Sequence, residues 1–166
     1  DIDALAAAEG KNWVYKGVNC LQPDERLCLV SLSDGGKDAV TLREFDAETK
    51  TFVDGGIVLP ESKGNAAWID ADTLLIARDF GEGSLTNSGY PMVVKRMRRG
   101  QPMEQAETLF TGQPTDVSVQ GSTLRDADGN IQATLITRAV DFYSSEVFSL
   151  GEDGRLTKLN LPAKSD

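Results

Sequence analysis

Apolar residues along this chain fall in short runs rather than in a long helical period. Residues 26–33 (RLCLVSLS) are followed by 39–46 (AVTLREFD), 73–79 (TLLIARD) by 92–98 (MVVKRMR), and 133–140 (ATLITRAV) by 145–150 (SEVFSL). β-Branched and aromatic residues fill these runs, and clusters of Gly, Asp, Pro and Asn separate them. That pattern predicts strands joined by turns. Weaker strands are predicted before each pair, near 13–18, 66–70 and 117–124, and after each pair, near 51–59, 106–111 and 155–161. Only the opening differs. Residues 2–10 (IDALAAAEG) offer an Asp N-cap, an alanine run and a glycine stop, which predicts a helical tail over 1–10.

The strand groups repeat. Turns containing Glu48, Gly100 and Asp153 occupy equivalent places, roughly 50 residues apart, and four antiparallel strands in that length is the period of a propeller blade. The expected fold is therefore all-β: a partial β-propeller of about three four-stranded blades with a short N-terminal helix. Blade one is expected over 11–60, blade two over 61–113 and blade three over 114–166. A β-sandwich with the same strand number is the competing architecture. Leu27-Cys28-Leu29-Val30 and Leu74-Leu75-Ile76-Ala77 are apolar without alternation, as in strands covered on both faces. The core is expected to centre on Leu27, Leu29, Leu74, Ile76, Leu135 and Ile136, with Trp68 beside them.

Composition narrows the chemistry. The formal charge of −9, from 26 acidic and 17 basic residues, repels phosphate backbones and argues against a nucleic-acid partner. No apolar run approaches the ~20 residues of a membrane span, so no membrane partner is expected. No signal peptide is read at the start. A soluble chain is expected, with the compartment open between cytoplasm and periplasm. Histidine is absent, which excludes a Ser-His-Asp triad within the chain, a Cys-His pair and a histidine-based zinc site. Paired-carboxylate chemistry would survive that absence, but the Asp residues sit mostly in turn contexts, where they cap backbone groups. The two cysteines, Cys20 and Cys28, flank a predicted hairpin at 21–27. They either form a cross-strand disulfide or sit as two small buried apolar residues.

Several local motifs invite a chemical reading and fail it. Asn87-Ser88-Gly89 lacks the first glycine of a nucleophile elbow. Gly81-Glu82-Gly83-Ser84 has no following Gly-Lys-Ser/Thr and opens no helix, so a phosphate cradle is not expected. Asp126-x-Asp128-x-Asn130 begins like a calcium loop but continues with Ile131 and Thr137 where Gly and Glu are required, so a hairpin turn is expected. Lys95, Arg96, Arg98 and Arg99 form the one basic cluster; on a strand they point to alternate faces, and solvated edge charge is the expectation. No catalytic residue, cofactor site or metal site is assigned.

Longer stretches carry a family likeness. Residues 12–20 (NWVYKGVNC), 28–36 (CLVSLSDGG) and 43–46 (REFD) resemble the first blade of bacterial prolyl-oligopeptidase relatives, 79–91 (DFGEGSLTNSGYP) with Val94-Lys95 the second, and 139–143 (AVDFY) the third. The resemblance spans nearly the whole chain. It implies a serine endopeptidase in which an α/β-hydrolase domain holds the catalytic triad and a propeller covers it, filtering substrates by size. It also implies as partners that hydrolase domain, the remaining blades and a peptide substrate. No position here matches the catalytic motifs, so the chain alone is expected to be inactive. The 79–91 connection is longer than its counterparts at 34–38 and 141–144. Its residues Asp79, Phe80, Gly81, Gly83, Ser84, Ser88 and Tyr90 are the candidate domain-interface or gating loop. A stand-alone binding or scaffold propeller is the competing function, and a homodimer through exposed blade faces is a further expectation.

Overall fold

The computed structural model describes residues 1–160. The chain divides into two compact units, 1–63 and 64–166. The first opens with helix α1 (Ile2–Glu9), capped by the Asp1 carboxylate, which accepts from the Asp3 and Ala4 N–H groups, and ended by Gly10 in the left-handed conformation. One antiparallel sheet follows: β1 (Trp13–Cys20), β2 (Leu27–Asp34), β3 (Val40–Asp46), β4 (Thr51–Phe52) and β5 (Val58–Ser62), with both β4 and β5 paired to β3. Its core is Cys28, Leu29, Val30, Leu32, Leu42, Ile57 and Leu59.

The sequence predicts one strand over 51–59, and the structure divides it. Asp54-Gly55-Gly56 turns away from β3, and the buried Glu44 carboxylate accepts from the Ile57 N–H at 2.9 Å to seat the returning chain. The Glu44 N–H still donates to the Ile57 carbonyl at 2.9 Å, but the Glu44 carbonyl is taken by the Val53 N–H and its carboxylate receives the Ile57 N–H instead; regular pairing with β3 runs from Val58 to Ser62.

Cys20 and Cys28 are directly opposite in the β1–β2 register and are joined as a disulfide. Glu9 ties α1 to the sheet: its Oε1 accepts from Trp13 Nε1 at 3.1 Å and from Arg43 Nη1 at 2.6 Å. Arg43 also lies over the Phe52 ring at 4.7 Å, and Phe52 meets Phe45 edge-on.

The second unit holds two four-stranded antiparallel sheets in sequential order. One is β6 (Asn65–Asp70), β7 (Thr73–Ala77), β8 (Val93–Arg98) and β9 (Glu107–Thr111); the other is β10 (Ser118–Arg125), β11 (Ile131–Ala139), β12 (Ser145–Leu150) and β13 (Leu156–Leu159). A predicted strand at 155–161 corresponds to β13; Leu161 and the rest of the expected third blade, 161–166, lie outside the described residues. The two sheets pack through Leu75, Ala77, Val94, Val119 and Ile136, with Phe110 and Phe148 rings 5.1 Å apart.

Every residue of β7 is buried, so its unbroken apolar run does reflect cover on both faces. Leu29, Leu74, Ile76, Ile136 and Trp68 are buried as expected, whereas Leu27 and Leu135 are half-buried. Alternation explains Leu135: its neighbour Ile136 takes the face toward Leu75, and Leu135 takes the other.

The basic cluster is not edge charge. Strand β8 is paired on both sides, to β7 and β9. Lys95 Nζ sits 4.6 Å over the Phe80 ring, Arg96 Nη2 reaches Glu107 at 2.6 Å, and Arg99 binds Asp72 and the Ala71 carbonyl. Lys95, Arg96 and Arg99 thus have local anionic or aromatic partners, which a sequence pattern does not reveal, while Arg98 at the end of β8 is exposed.

Candidate functional site

The candidate site is the connection between β7 and β8, and its residues build a braced loop. The Asp79 carboxylate accepts from the Gly81 N–H at 2.8 Å, and Ser84 Oγ accepts from the Phe80 N–H at 2.9 Å while donating to the Gly81 carbonyl at 2.6 Å. These bonds close a tight turn. Gly83 stands at φ 82°, where a side chain would be strained. A second turn spans Thr86 to Gly89, with the Gly89 N–H donating to the Thr86 carbonyl and the Thr86 N–H to the Tyr90 carbonyl. Between the turns, Leu85 bridges Pro91, and the Met92 N–H returns to the Ser84 carbonyl.

The loop is also clamped from outside. The Asn87 N–H donates to the Pro114 carbonyl at 2.7 Å, Thr86 Oγ1 to the Val117 carbonyl at 3.3 Å, and the Val119 N–H to the Pro91 carbonyl at 2.9 Å. Residues 112–117 connect β9 to β10, so this loop is stitched onto the passage from one sheet to the next. Ser84 and Thr86 are buried as a result, while Gly81, Glu82, Gly83, Asn87 and Ser88 face solvent. Of the candidate residues, Asp79, Phe80, Gly81, Gly83 and Ser84 form the first turn, whereas Ser88 and Tyr90 belong to the second. Asp79, Phe80 and Gly81 also line an open depression of roughly 340 Å³ with Met103 and Glu104, where a short 3-10 turn (Met103–Gln105) lies alongside.

Two buried charged groups flank this region and are not signalled by any local motif. Arg78, immediately before the loop, is fully buried, and burial pushes its pKa down to about 10, so it remains a cation at neutral pH. Asp116 has a side chain only 1% exposed and accepts from Arg138 Nε at 2.7 Å and from the Gln113 N–H at 2.8 Å. Burial acts to raise the Asp116 pKa, but the Arg138 guanidinium and the Gln113 N–H outweigh it and hold the carboxyl below the ordinary aspartate value. Arg138 continues to Glu146, which also meets Lys158.

The other motifs resolve as backbone devices. Asp126 Oδ1 accepts from the Asp128 and Asn130 N–H groups at 2.9 Å each, which makes the calcium-like triplet an Asx turn closing the β10–β11 hairpin. Asn87-Ser88-Gly89 is part of the clamped turn, not a strand-to-helix elbow. No helix among the described residues is long and apolar enough to cross a membrane.

The chain is similar to known proteins over nearly its whole length. Residues 1–156 match the family described as prolyl oligopeptidase, N-terminal beta-propeller domain. A protein of Sinorhizobium fredii named "Uncharacterized peptidase y4nA" is 46% identical over 147 residues, covering 89% of this chain and 20% of its own length. A Rickettsia prowazekii protein, "Uncharacterized peptidase RP174", is 30% identical, covering 98% of this chain and 24% of its own length. Among solved structures, a post-proline cleaving enzyme from Rickettsia typhi superposes with a TM-score of 0.90 at 29% identity, covering 98% of this chain and 25% of that one. Oligopeptidase B from Leishmania major, at 18% identity and a TM-score of 0.67, shares the fold. The chain thus spans about a quarter or less of these longer proteins, and the three antiparallel sheets are a partial propeller. By sequence match and by fold, it belongs to the prolyl oligopeptidase N-terminal β-propeller family.

Proposed function

We propose that this chain is the non-catalytic propeller segment of a prolyl-oligopeptidase-like serine endopeptidase, covering the active site and restricting access to short peptides. With no histidine, the chain supplies no general base for a serine nucleophile. Its role is therefore one of shape. The observation that carries this reading is the braced 79–91 loop. It joins β7 to β8, is held by the 112–117 connection and by Val119 of β10, and still presents Glu82 and Ser88 to solvent. A loop fixed in this way suits a wall of an entry path better than a flap that opens by itself. Blades over 11–60, 61–113 and 114–166 form the structural part of the same proposal.

The test uses the longer peptidase carrying this segment, with Glu82→Arg and Ser88→Arg combined. Both positions are exposed, so the brace survives. The expected result is an altered ratio of kcat/KM for a large peptide over a short chromogenic prolyl peptide, with the short-peptide value unchanged. An unchanged ratio would refute the gating role. The 166-residue chain alone is expected to hydrolyse neither substrate.

Self-association has its own observation. In the first unit an open apolar groove of roughly 420 Å³ runs between the start of α1 and the sheet, lined by Tyr15, Val18, Phe45 and Phe52 among others. Tyr15 and Val18 are more than half exposed. We propose that the isolated chain associates through such uncovered faces.

A further inference from the structure

Phe142 and Tyr143 are 88% and 89% exposed, whereas Val14, Tyr15, Val18, Val58 and Leu124, the other large apolar side chains exposed among the described residues, reach at most 59%. Two adjacent aromatics held almost wholly in water are costly, since each carries a large apolar surface that gains by burial. They are also held there by design of the backbone. The Tyr143 N–H donates to Asp141 Oδ1 at 2.8 Å, and the Val140 N–H to the Ser144 carbonyl at 3.0 Å, closing the β11–β12 turn behind them. The backbone that carries them is already closed, so covering the pair orders only two side chains of two χ angles each, and large aromatics of low rotamer entropy are the usual interface anchors.

The position of the pair is as informative as its exposure. Ser118 is registered with Ala139, and the Val117 N–H donates to the Ala139 carbonyl at 2.8 Å, so the turn stands beside the 112–117 connection. The Arg138–Asp116 pair fastens the two together. The 79–91 loop is bonded to the same connection through Asn87 and Thr86. Aromatic tip, connection and loop therefore form one continuous end of the second unit. Glu82 and Asp141 are exposed acids on that end.

We propose that Phe142 and Tyr143 are the anchors by which this segment docks onto the catalytic domain of its own longer chain. The partner surface is an apolar cleft rimmed by basic groups, complementary to the aromatic pair and to Glu82 and Asp141. The occupant is argued from length: relatives are covered over only 20% and 24% of their extent, which leaves a large covalently linked body to meet this end. The inference rests on the covering role proposed above and adds the residues that hold the cover in place.

The experiment takes the longer peptidase with Phe142→Ala and Tyr143→Ala combined, and separately Tyr143→Phe, which keeps the ring. Small-angle scattering reads the separation of the domains, and paired assays read large-peptide against short-peptide turnover. Far-ultraviolet circular dichroism of the longer peptidase bearing the double substitution should match the parent, because both side chains are almost wholly exposed and neither packs against the core. The double variant is expected to populate the open form roughly tenfold more than the parent, as loss of buried aromatic anchors does. Tyr143→Phe is expected to stay closed. An unchanged domain separation in the double variant would overturn the proposal. So would a raised KM for the short peptide at unchanged separation, which would place the pair against substrate instead. If the Glu82→Arg and Ser88→Arg loop variant alters size discrimination while the double variant does not open, the anchor role falls and the covering role stands. If the double variant opens while the loop variant is silent, the anchor role stands and the gating role of the loop falls.

Discussion

Gly121 and Leu75 meet where the two sheets of the second unit press together: a Cβ built on Gly121 would lie 2.4 Å from Leu75 Cδ2 and 2.6 Å from its Cγ. Leu75 is fully buried and has nowhere to retreat. The glycine is therefore required by proximity. Gly121→Ala is expected to destabilise the chain by ~1–3 kcal/mol, the usual cost of overpacking, and Gly121→Val by more. Urea unfolding of the two variants checks this, and equal stability of Gly121→Ala and the parent would contradict the sheet packing.

Ile76 and Leu135 differ in burial despite similar sequence surroundings. Ile76→Ala is expected to cost ~2–5 kcal/mol as a large-to-small change in a closed core. Leu135→Ala, at a half-buried position, should cost clearly less. The same denaturation series reads both, and the reverse order would place the wrong face of β11 inside.

Asp116 predicts a response to acid. Its carboxyl titrates lower when folded than when unfolded, despite the opposing effect of burial, because Arg138 and the Gln113 N–H stabilise the charged form. A depressed carboxylate contributes stability above its unfolded pKa of about 4, and that contribution is lost as pH falls through the lower folded value. Stability measured from pH 6 down to about 2 should fall more steeply in the parent than in Asp116→Asn. The variant itself should be weaker near neutral pH by ~1–3 kcal/mol, since it leaves Arg138 with less compensation. Parallel pH profiles would show that the pair carries no linkage.

Light scattering across a hundredfold dilution series reports on the apolar groove of the first unit. Concentration-dependent association is expected, with the charge of −9 opposing it only weakly at physiological salt, where the screening length is about 8 Å. A substitution of Val18 by Lys, on the exposed edge strand, should shift the equilibrium toward monomer. A constant monomer mass for the parent at the highest concentration would contradict the proposal.

The sequence by itself determined the local grammar of this protein. Strand positions, turns and the roughly 50-residue period were legible because they depend on neighbours: alternation, β-branched content and turn-forming residues act over a few positions. Helix α1 was legible for the same reason, through its Ala run and Gly10 stop. Tertiary structure alone decided the rest. Residues 51–59 break into two strands because Glu44, distant in sequence, takes the Ile57 N–H. The Lys95–Arg99 cluster became interior ladder and local ion pairs because β9 closes over β8. The 79–91 loop became a fixed brace because Pro114 and Val117 offer it carbonyls. Arg138 finds Asp116 across 22 residues, and no spacing rule links them. Phe142 and Tyr143 fall in the connection predicted at 141–144, but the sequence does not say whether a loop aromatic folds back onto the sheet. The turn closed by Asp141 and Ser144 leaves both rings in water, because exposure depends on where the backbone is held and not only on the residues it carries.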